Sequence, residues 1–243
     1  MSTSTTPGTS IAGAVAESVE RFRPGYPDEV VDRTLSYAGR PVRTAIEIGA
    51  GTGKAARAFA SRGVEVTALE PDPHMFAVLE RESVGQQVRP VPTSLDAYTG
   101  PAADLVYAAS SWHLATPGTR CTRAAELLVD GGVVAVFETL VRLADPHARA
   151  ALAESGLPVL EDAALLSEQE LVASGRFGDV EEHRVSHRVV MPQREYVGYL
   201  STLASVQHLD VEERAEVLRR TARSLPDQVR LDLSVMLQVA RRL

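Results

Sequence analysis

The sequence predicts an α/β fold built on a mostly parallel, doubly wound sheet. Short apolar strand patterns alternate with helical patterns between Thr44 and Phe137, and this alternation is typical of β-α-β units. A turn with three glycines joins the first strand pattern to the next helix pattern, and glycine permits the tight backbone that this connection needs. The C-terminal part adds two strand patterns separated by helical patterns.

Five strands and three helices are predicted in the alternating part of the chain. Apolar runs bounded by turn residues predict the strands at 44–48, 64–69, 88–91, 104–109 and 133–137. The helices between them are predicted at 54–61, from 73 onward and at 116–130, the last two beginning at prolines. Two more helices, at 11–21 and 28–37, precede the first strand.

The C-terminal third carries a different pattern. Alternation of apolar and polar residues predicts strands at 185–189 and 229–239. Helical patterns at 194–206 and 211–224 lie between these strands, so a tight turn does not join them. Residues 1–10 are rich in Ser and Thr and predict a disordered tail, which leaves 11–243 as one predicted domain.

Composition narrows the classes of function. The 243 residues, 44% hydrophobic, suffice for one α/β core. The formal net charge of −7 argues against a nucleic-acid partner. No stretch approaches the roughly 18 apolar residues of a membrane helix, so no membrane partner is expected. The single cysteine, Cys121, fits a reducing compartment, so we expect a cytoplasmic protein. Its oligomeric state is left open between a monomer and a homodimer.

The glycine turn is the most informative motif. Gly49, Gly51 and Gly53 stand between a strand and a helix start, where missing side chains let a ligand approach backbone amides. Lys54 stands where a dinucleotide fingerprint requires glycine or alanine, which weakens an NAD interpretation. Ala55 stands where a phosphate-binding loop requires Ser or Thr, which excludes an ATPase interpretation.

An acid after the second strand indicates the same kind of ligand. Glu70 follows Gly49 by about 20 residues, and an acid at this spacing can accept hydrogen bonds from both hydroxyls of a ribose. The two motifs together predict an adenosine-containing ligand.

The pattern formed by Glu47, Gly49, Gly51 and Gly53 resembles the first motif of the class I S-adenosylmethionine (SAM)-dependent methyltransferases. The resemblance implies a Rossmann-like, seven-stranded methyltransferase sheet with a C-terminal antiparallel hairpin. It also implies SAM as cofactor, S-adenosylhomocysteine as product, and a cofactor above the carboxyl ends of the first, second and fourth strands. Glu47 would help to hold the cofactor's ammonium group, through water or the loop backbone.

Further cofactor contacts follow from the resemblance. The segment with Glu70, Pro71 and Met75 resembles the family's second motif, in which Met75 would pack on the adenine. Ordinary core packing is an equal alternative for Met75. Ser94 and Leu95 occupy the place where the family holds the adenine edge, but the usual acid is absent there, so Ser94 or the backbone would supply the contact.

The fourth strand leads to the expected reaction centre. Its segment resembles one that ends near the transferable methyl group, which places Ser110 and His113 at that point. His113 could act as the general base, because a histidine ordinarily titrates near pH 6.5. A histidine that only holds the loop by hydrogen bonds is the alternative.

An N-terminal segment narrows the expected acceptor. Residues 23–27 are similar to the Arg-Pro-x-Tyr-Pro segment of a methyltransferase subgroup that acts on small metabolites. The similarity implies that Arg23 binds the cofactor carboxylate and that Tyr26 closes over the site. Residues 11–30, 139–165 and 192–225 are expected to form a helical lid.

The sequence thus predicts methyl transfer from SAM to a small molecule, most naturally a specialised metabolite. Two alternatives stay open: other chemistry in a SAM-binding fold, and a SAM-binding regulator without catalysis. No metal is expected, because His183 and His187 share a strand face but lack a nearby third ligand.

Overall fold

A seven-stranded sheet organises the molecule, whose computed structural model describes residues 15–157 and 168–243. The strands are β1 (Thr44–Ile48), β2 (Glu65–Leu69), β3 (Val88–Val91), β4 (Ala103–Ala109), β5 (Leu128–Leu143), β6 (Phe177–Pro192) and β7 (Gln228–Arg242). The helices are α1 (Ala16–Phe22), α2 (Asp28–Tyr37), α3 (Lys54–Ala60), α4 (Pro73–Glu82), α5 (Arg120–Glu126), α6 (Pro146–Glu154), α7 (Glu168–Ala173), α8 (Gln193–Ser201), α9 (Ala204–Gln207) and α10 (Val211–Ser224).

The strand order confirms the predicted doubly wound sheet. The order is β3-β2-β1-β4-β5-β7-β6, with parallel pairing from β3 to β5 and antiparallel pairing of β7 with β5 and β6. The chain winds outward from β1 to β3 and then returns to β4 on the other side of β1. Such a reversal opens a crevice at the carboxyl ends of the two central strands.

Both faces of the central strands are covered. Along β1, Ala45 packs into the cluster around Phe59 and Tyr107, whereas Ile46 packs into the opposite cluster around Trp112. Burial on both faces explains why these strands read as continuous apolar runs. The sheet is therefore a rigid base for the loops that follow its strands.

Two strands are longer than their sequence patterns predict. β5 continues past Phe137 to Leu143, so residues 139–143 form a strand and not part of a helical lid. β7 pairs with this extension as far as Leu143 opposite Leu231. A third core cluster packs α6, α8 and α10 against the extension. The long-range pairing with β7, which no local pattern reveals, decides where β5 ends.

Two predicted helices differ from the structure. The helix predicted at 116–130 is only Arg120–Glu126, because a turn with Gly118 in the left-handed region precedes it and Leu128 already belongs to β5. The helix predicted at 194–206 is divided into α8 and α9 at Thr202 and Leu203.

The N-terminal part is described only from residue 15. The helix predicted at 11–21 is observed as α1, and residues 11–14, the predicted tail and the predicted lid residues 158–165 lie outside the described ranges. Within 15–157 and 168–243, no helix is long and apolar enough to cross a membrane.

Candidate functional site

A cavity of about 170 Å³ lies at the carboxyl ends of β1 and β4, where the crevice was expected. Its walls come from the glycine turn, from the segments after β2 and β4, and from α1 and the chain after it. The predicted site residues that line it are Arg23, Tyr26, Glu47, Gly49, Gly51, Glu70, Met75 and Ser110. The fold therefore brings eight residues chosen from separate motifs to one place.

The three glycines of the turn have different surroundings. All three have positive φ angles, of 61° at Gly49, 58° at Gly51 and 86° at Gly53. A Cβ atom at Gly53 would lie 2.4 Å from Leu79 Cδ1, whereas a Cβ atom at Gly51 would meet nothing within 4 Å. Gly53 is thus needed for packing against α4 and does not line the cavity, while Gly51 leaves open space for a ligand.

Glu70 holds two loops together. Its Oε2 accepts a hydrogen bond from the Gly51 amide at 2.7 Å, and its Oε1 accepts one from the Asp72 amide at 2.8 Å. Burial raises the pKa of Glu70, and the hydrogen bonds from the two backbone amides oppose this increase. A carboxylate offers about four lone-pair sites, so the oxygens retain capacity for the hydroxyls of a ribose.

Glu47 lies beneath the glycine turn and is 1% exposed. Its Oε2 accepts a hydrogen bond from the hydroxyl of Tyr107, its neighbour across the β1–β4 pair, at 3.1 Å. Burial raises the pKa of Glu47 to about 8. A cation bound nearby would favour the ionised carboxylate, so the residue is suited to the ammonium group assigned to it. The sequence did not identify Tyr107 as the partner of Glu47, because Tyr107 stands in an apolar strand pattern like any other core residue.

The segment after α1 closes one side of the cavity. Arg23 lines the cavity, but its Nε donates to Thr202 Oγ1 at 3.0 Å and its Nη2 donates to the Thr202 carbonyl at 2.9 Å. Two of its nitrogens are thereby directed to the end of α8. Lys54, which also lines the cavity, donates to the Glu20 carbonyl of α1.

Tyr26 and Ser110 meet at the end of β4. The Tyr26 ring packs edge-on against Phe137 at a centroid distance of 5.0 Å, and its hydroxyl donates to Ser110 Oγ at 3.5 Å. The expected position of Tyr26 over the site is consistent with this contact. Glu138, beside Ser110, was missed, although an acid that directly follows an apolar strand pattern is a usable signal.

Five predicted site residues do not line the cavity. Gly53 packs on α4, Pro71 is exposed, and Leu95 is buried in the cluster around Trp112 on the other face of the sheet. Ser94 is half-buried and its carbonyl accepts the Tyr98 amide. His113 is exposed in a short 3-10 helix, and partial desolvation of its ring, together with the charge of Arg120, lowers its pKa.

The histidine pair on β6 has no metal-binding arrangement. His183 Nε2 lies 3.0 Å from Glu181 Oε2. Across the parts of the chain that the structure describes, no group of three or more His, Cys, Asp or Glu residues could hold a metal ion.

Comparisons with known proteins show which family model and which proteins parts of this chain are similar to. Residues 46–136 match the family model described as a methyltransferase domain. An uncharacterized methyltransferase of Mycobacterium tuberculosis is 35% identical over 121 residues, which are 49% of this chain and 48% of that protein. The match thus spans about half the length of the curated relative. The family-model match, residues 46–136, includes the motifs with Glu47 and Glu70 but not the segment at residues 23–27.

Solved structures show the fold. A solved structure from Anaeromyxobacter dehalogenans, of a protein assigned as a type II methyltransferase, has a TM-score of 0.67 to this chain. The two are 19% identical, and the alignment covers 90% of this chain and 98% of that one. A phosphoethanolamine N-methyltransferase of Haemonchus contortus, solved with phosphomonomethylethanolamine and S-adenosylhomocysteine, has a TM-score of 0.55 at 17% identity, over 94% and 57%. The predicted Rossmann-like methyltransferase sheet is therefore confirmed.

The two glycines give a paired prediction. Gly51→Ala should cost about 1–2 kcal/mol of unfolding free energy, the usual cost of left-handed backbone. Gly53→Ala should cost a further 1–3 kcal/mol or so, because its methyl group would crowd Leu79. Urea unfolding of both variants measures the difference. Equal losses would show that the packing of α4 on the turn is not tight.

Glu47 should make stability depend on pH. Its neutral form is favoured in the fold, since its pKa is about 8 there against an ordinary 4.5. This contribution is complete below about pH 4.5 and is lost as the pH rises towards 8, by about 1 kcal/mol per unit. Glu47→Gln should therefore gain stability relative to the wild type between pH 5 and 8. Chemical denaturation tests this, with exposed Glu65→Gln as control; a constant difference for Glu47→Gln would contradict the assignment.

Proposed function

We propose that this chain, whose residues 46–136 match a methyltransferase domain, binds SAM in the cavity and transfers its methyl group to a small-molecule acceptor. The observation that carries the proposal is the convergence of Glu47, Gly51 and Glu70 on one cavity at the crevice of a methyltransferase-type sheet. Glu47 and Gly51 were identified from the first motif, and Glu70 was identified from the second.

The residues present fit the cofactor. The open space at Gly51 allows the methionine part of SAM to approach the turn, and Glu47 supplies a buried acid for its ammonium group. Glu70 and Met75 line the same cavity; Glu70 would accept the ribose hydroxyls, and Met75 would provide an apolar wall for the adenine. Bound SAM would supply a sulfonium methyl group as the electrophile.

The protein's contribution to such a transfer is mainly positional. An in-line displacement gains rate when donor and nucleophile are held in contact in a dry pocket. Tyr26 and the described part of α1 cover the cavity, and the contact of Arg23 with Thr202 attaches this cover to α8. We therefore assign a lid role to α1 and α8 and keep Tyr26 as the residue that closes over the site.

A small metabolite is the proposed acceptor class. The net charge of −7 disfavours nucleic acid, and the segment at residues 23–27 is similar to that of small-metabolite enzymes. The proposal includes a cytoplasmic location, supported by the single, free cysteine. Formation of S-adenosylhomocysteine together with a methylated product separates methyl transfer from other SAM chemistry and from a regulator without catalysis.

S-adenosylhomocysteine should raise the melting temperature of the protein. A ligand that binds only the folded state stabilises it by about 2.7 kcal/mol at a concentration of 100 times its dissociation constant. Differential scanning fluorimetry with increasing ligand is the measurement. No shift at millimolar ligand would exclude the proposed cofactor site.

Glu70→Gln should weaken this binding by about tenfold or more and also lower stability by about 1–3 kcal/mol. Both Glu70 oxygens accept backbone N–H groups, so the amide nitrogen of a glutamine would face a donor in either orientation. Titration calorimetry measures the affinity, and Glu65→Gln, an exposed acid at the other end of β2, is the matched control. Wild-type affinity in Glu70→Gln would place the ribose elsewhere.

A further inference from the structure

Three polar side chains form a continuous row beside the cavity. Ala109 of β4 lies opposite Phe137 of β5, and the Ser110 amide donates to the Phe137 carbonyl at 2.8 Å. Ser110, which directly follows β4, therefore lies beside Glu138, which follows Phe137 in β5. The Tyr26 hydroxyl donates to Ser110 Oγ at 3.5 Å, and the Ser110 hydroxyl lies near enough to the Glu138 carboxylate to lower its pKa.

Ser110 is held in an unusual conformation at this point. Its φ angle of 56° lies in the left-handed region, which costs a non-glycine residue free energy. The conformation brings Ser110 to the cavity wall, next to Ala109 and Ser111. Ser110 therefore has one side towards the cavity and the other towards Glu138.

The surroundings of Glu138 leave it suited to receive a proton. Arg23 is the cation that faces it, and Tyr26 and Tyr199 are the titratable hydroxyl groups that face it. Arg23 also donates twice to Thr202. From β7, Met236 lies opposite Glu138 and accepts a hydrogen bond from Arg184. Burial raises the pKa of Glu138, and a base is most effective when its pKa approaches the working pH.

We propose that Ser110 and Glu138 form a proton relay for the methyl acceptor, with Ser110 facing the acceptor and Glu138 as the positioning residue that finally holds the proton. This inference rests on the proposed function. It names the acceptor class as hydroxyl or amine compounds, which must lose a proton. Acceptors that are already anionic would not need the relay.

The proposed methyl transfer, with its proton removal, conserves atoms and charge. The acceptor's oxygen or nitrogen forms a bond to the methyl group, while the sulfur–methyl bond breaks and leaves its electron pair on sulfur. The proton released by the acceptor passes to Ser110 Oγ as the Ser110 proton passes to the Glu138 carboxylate. Glu138, and not exposed His113, is then the base of the site.

A test that needs no knowledge of the acceptor compares two cofactor analogues. Sinefungin carries an amine where SAM carries its methyl group, whereas S-adenosylhomocysteine carries nothing there. The ratio of their dissociation constants therefore reports the groups that face the transferred methyl. Titration calorimetry of the wild type, Glu138→Gln and the control Glu65→Gln gives this ratio for each protein.

The wild type and Glu65→Gln should prefer sinefungin, and Glu138→Gln should lose about tenfold of this preference while its affinity for S-adenosylhomocysteine stays within about twofold. In the wild type the preference should fall as the pH is lowered through the raised pKa of Glu138, because the carboxylate becomes protonated. In Glu138→Gln it should be constant with pH. The ratio cancels the effect of Glu47, which acts on both analogues.

Ser110→Gly provides the second variant, since glycine tolerates the positive φ angle while the hydroxymethyl side chain is removed. It should lose the preference as well, even if Glu138→Gln folds poorly. An unchanged ratio and pH profile in folded Glu138→Gln, or an unchanged ratio in Ser110→Gly, would overturn the relay alone. Failure of the wild type to bind either analogue would instead remove the proposed function.

Discussion

The carboxylate of Glu70 joins the two loops on which the site depends. It accepts one amide from the glycine turn, at Gly51, and one from the turn that starts α4, at Asp72. Asp72 in turn caps α4 by accepting the amides of His74 and Met75. Glu70 is 6% exposed, and buried backbone amides left without partners would cost free energy. The same residue therefore sets the distance between the two walls of the cavity and presents the acid to the ligand.

Three acids lie along this part of the sheet, two of them buried and one half-buried, and desolvation is the chief cause of the raised pKa of each. They are Glu47 near the end of β1, Glu70 after β2 and Glu138 in β5. Removal of carboxylates from water is unfavourable unless a positive charge accompanies them. A cationic ligand recovers part of that cost, and a neutral one does not. Methyl transfer converts a sulfonium into a neutral thioether and leaves the ammonium group in place, so an acid that faces the sulfonium favours the proposed cofactor over its product, whereas Glu47, assigned to the ammonium group, favours both.

Local sequence motifs predict the central strands and the glycine turn of this protein. Contacts between residues far apart in the sequence determine the length of β5 and the cover of the cavity. The sheet, the glycine turn, Glu47 and Glu70 follow from short patterns, because adjacent residues set their geometry. The partner of Arg23 could not be predicted, since Thr202 is 179 positions away and contacts it only after α8 packs against α1. The length of β5 has the same cause, its pairing with β7. His113 was placed by resemblance to a motif, but local backbone rotation in the 3-10 helix leaves it exposed.

The size of the cavity constrains how a cofactor enters. About 170 Å³ is less than the roughly 300–1,000 Å³ of typical ligand pockets, so a bound cofactor would extend beyond the cavity or displace part of the cover formed by α1. Ionic contacts hold α1: Glu20 pairs with Arg57 at 2.7 Å, and Glu17 pairs with Arg81 at 2.7 Å. The second pair is largely exposed, and such pairs contribute about 0–1 kcal/mol. The Glu20–Arg57 pair is much less exposed, so this pair and the apolar contacts of Val19 with Met75 and Val78 are the contacts that resist a movement of α1.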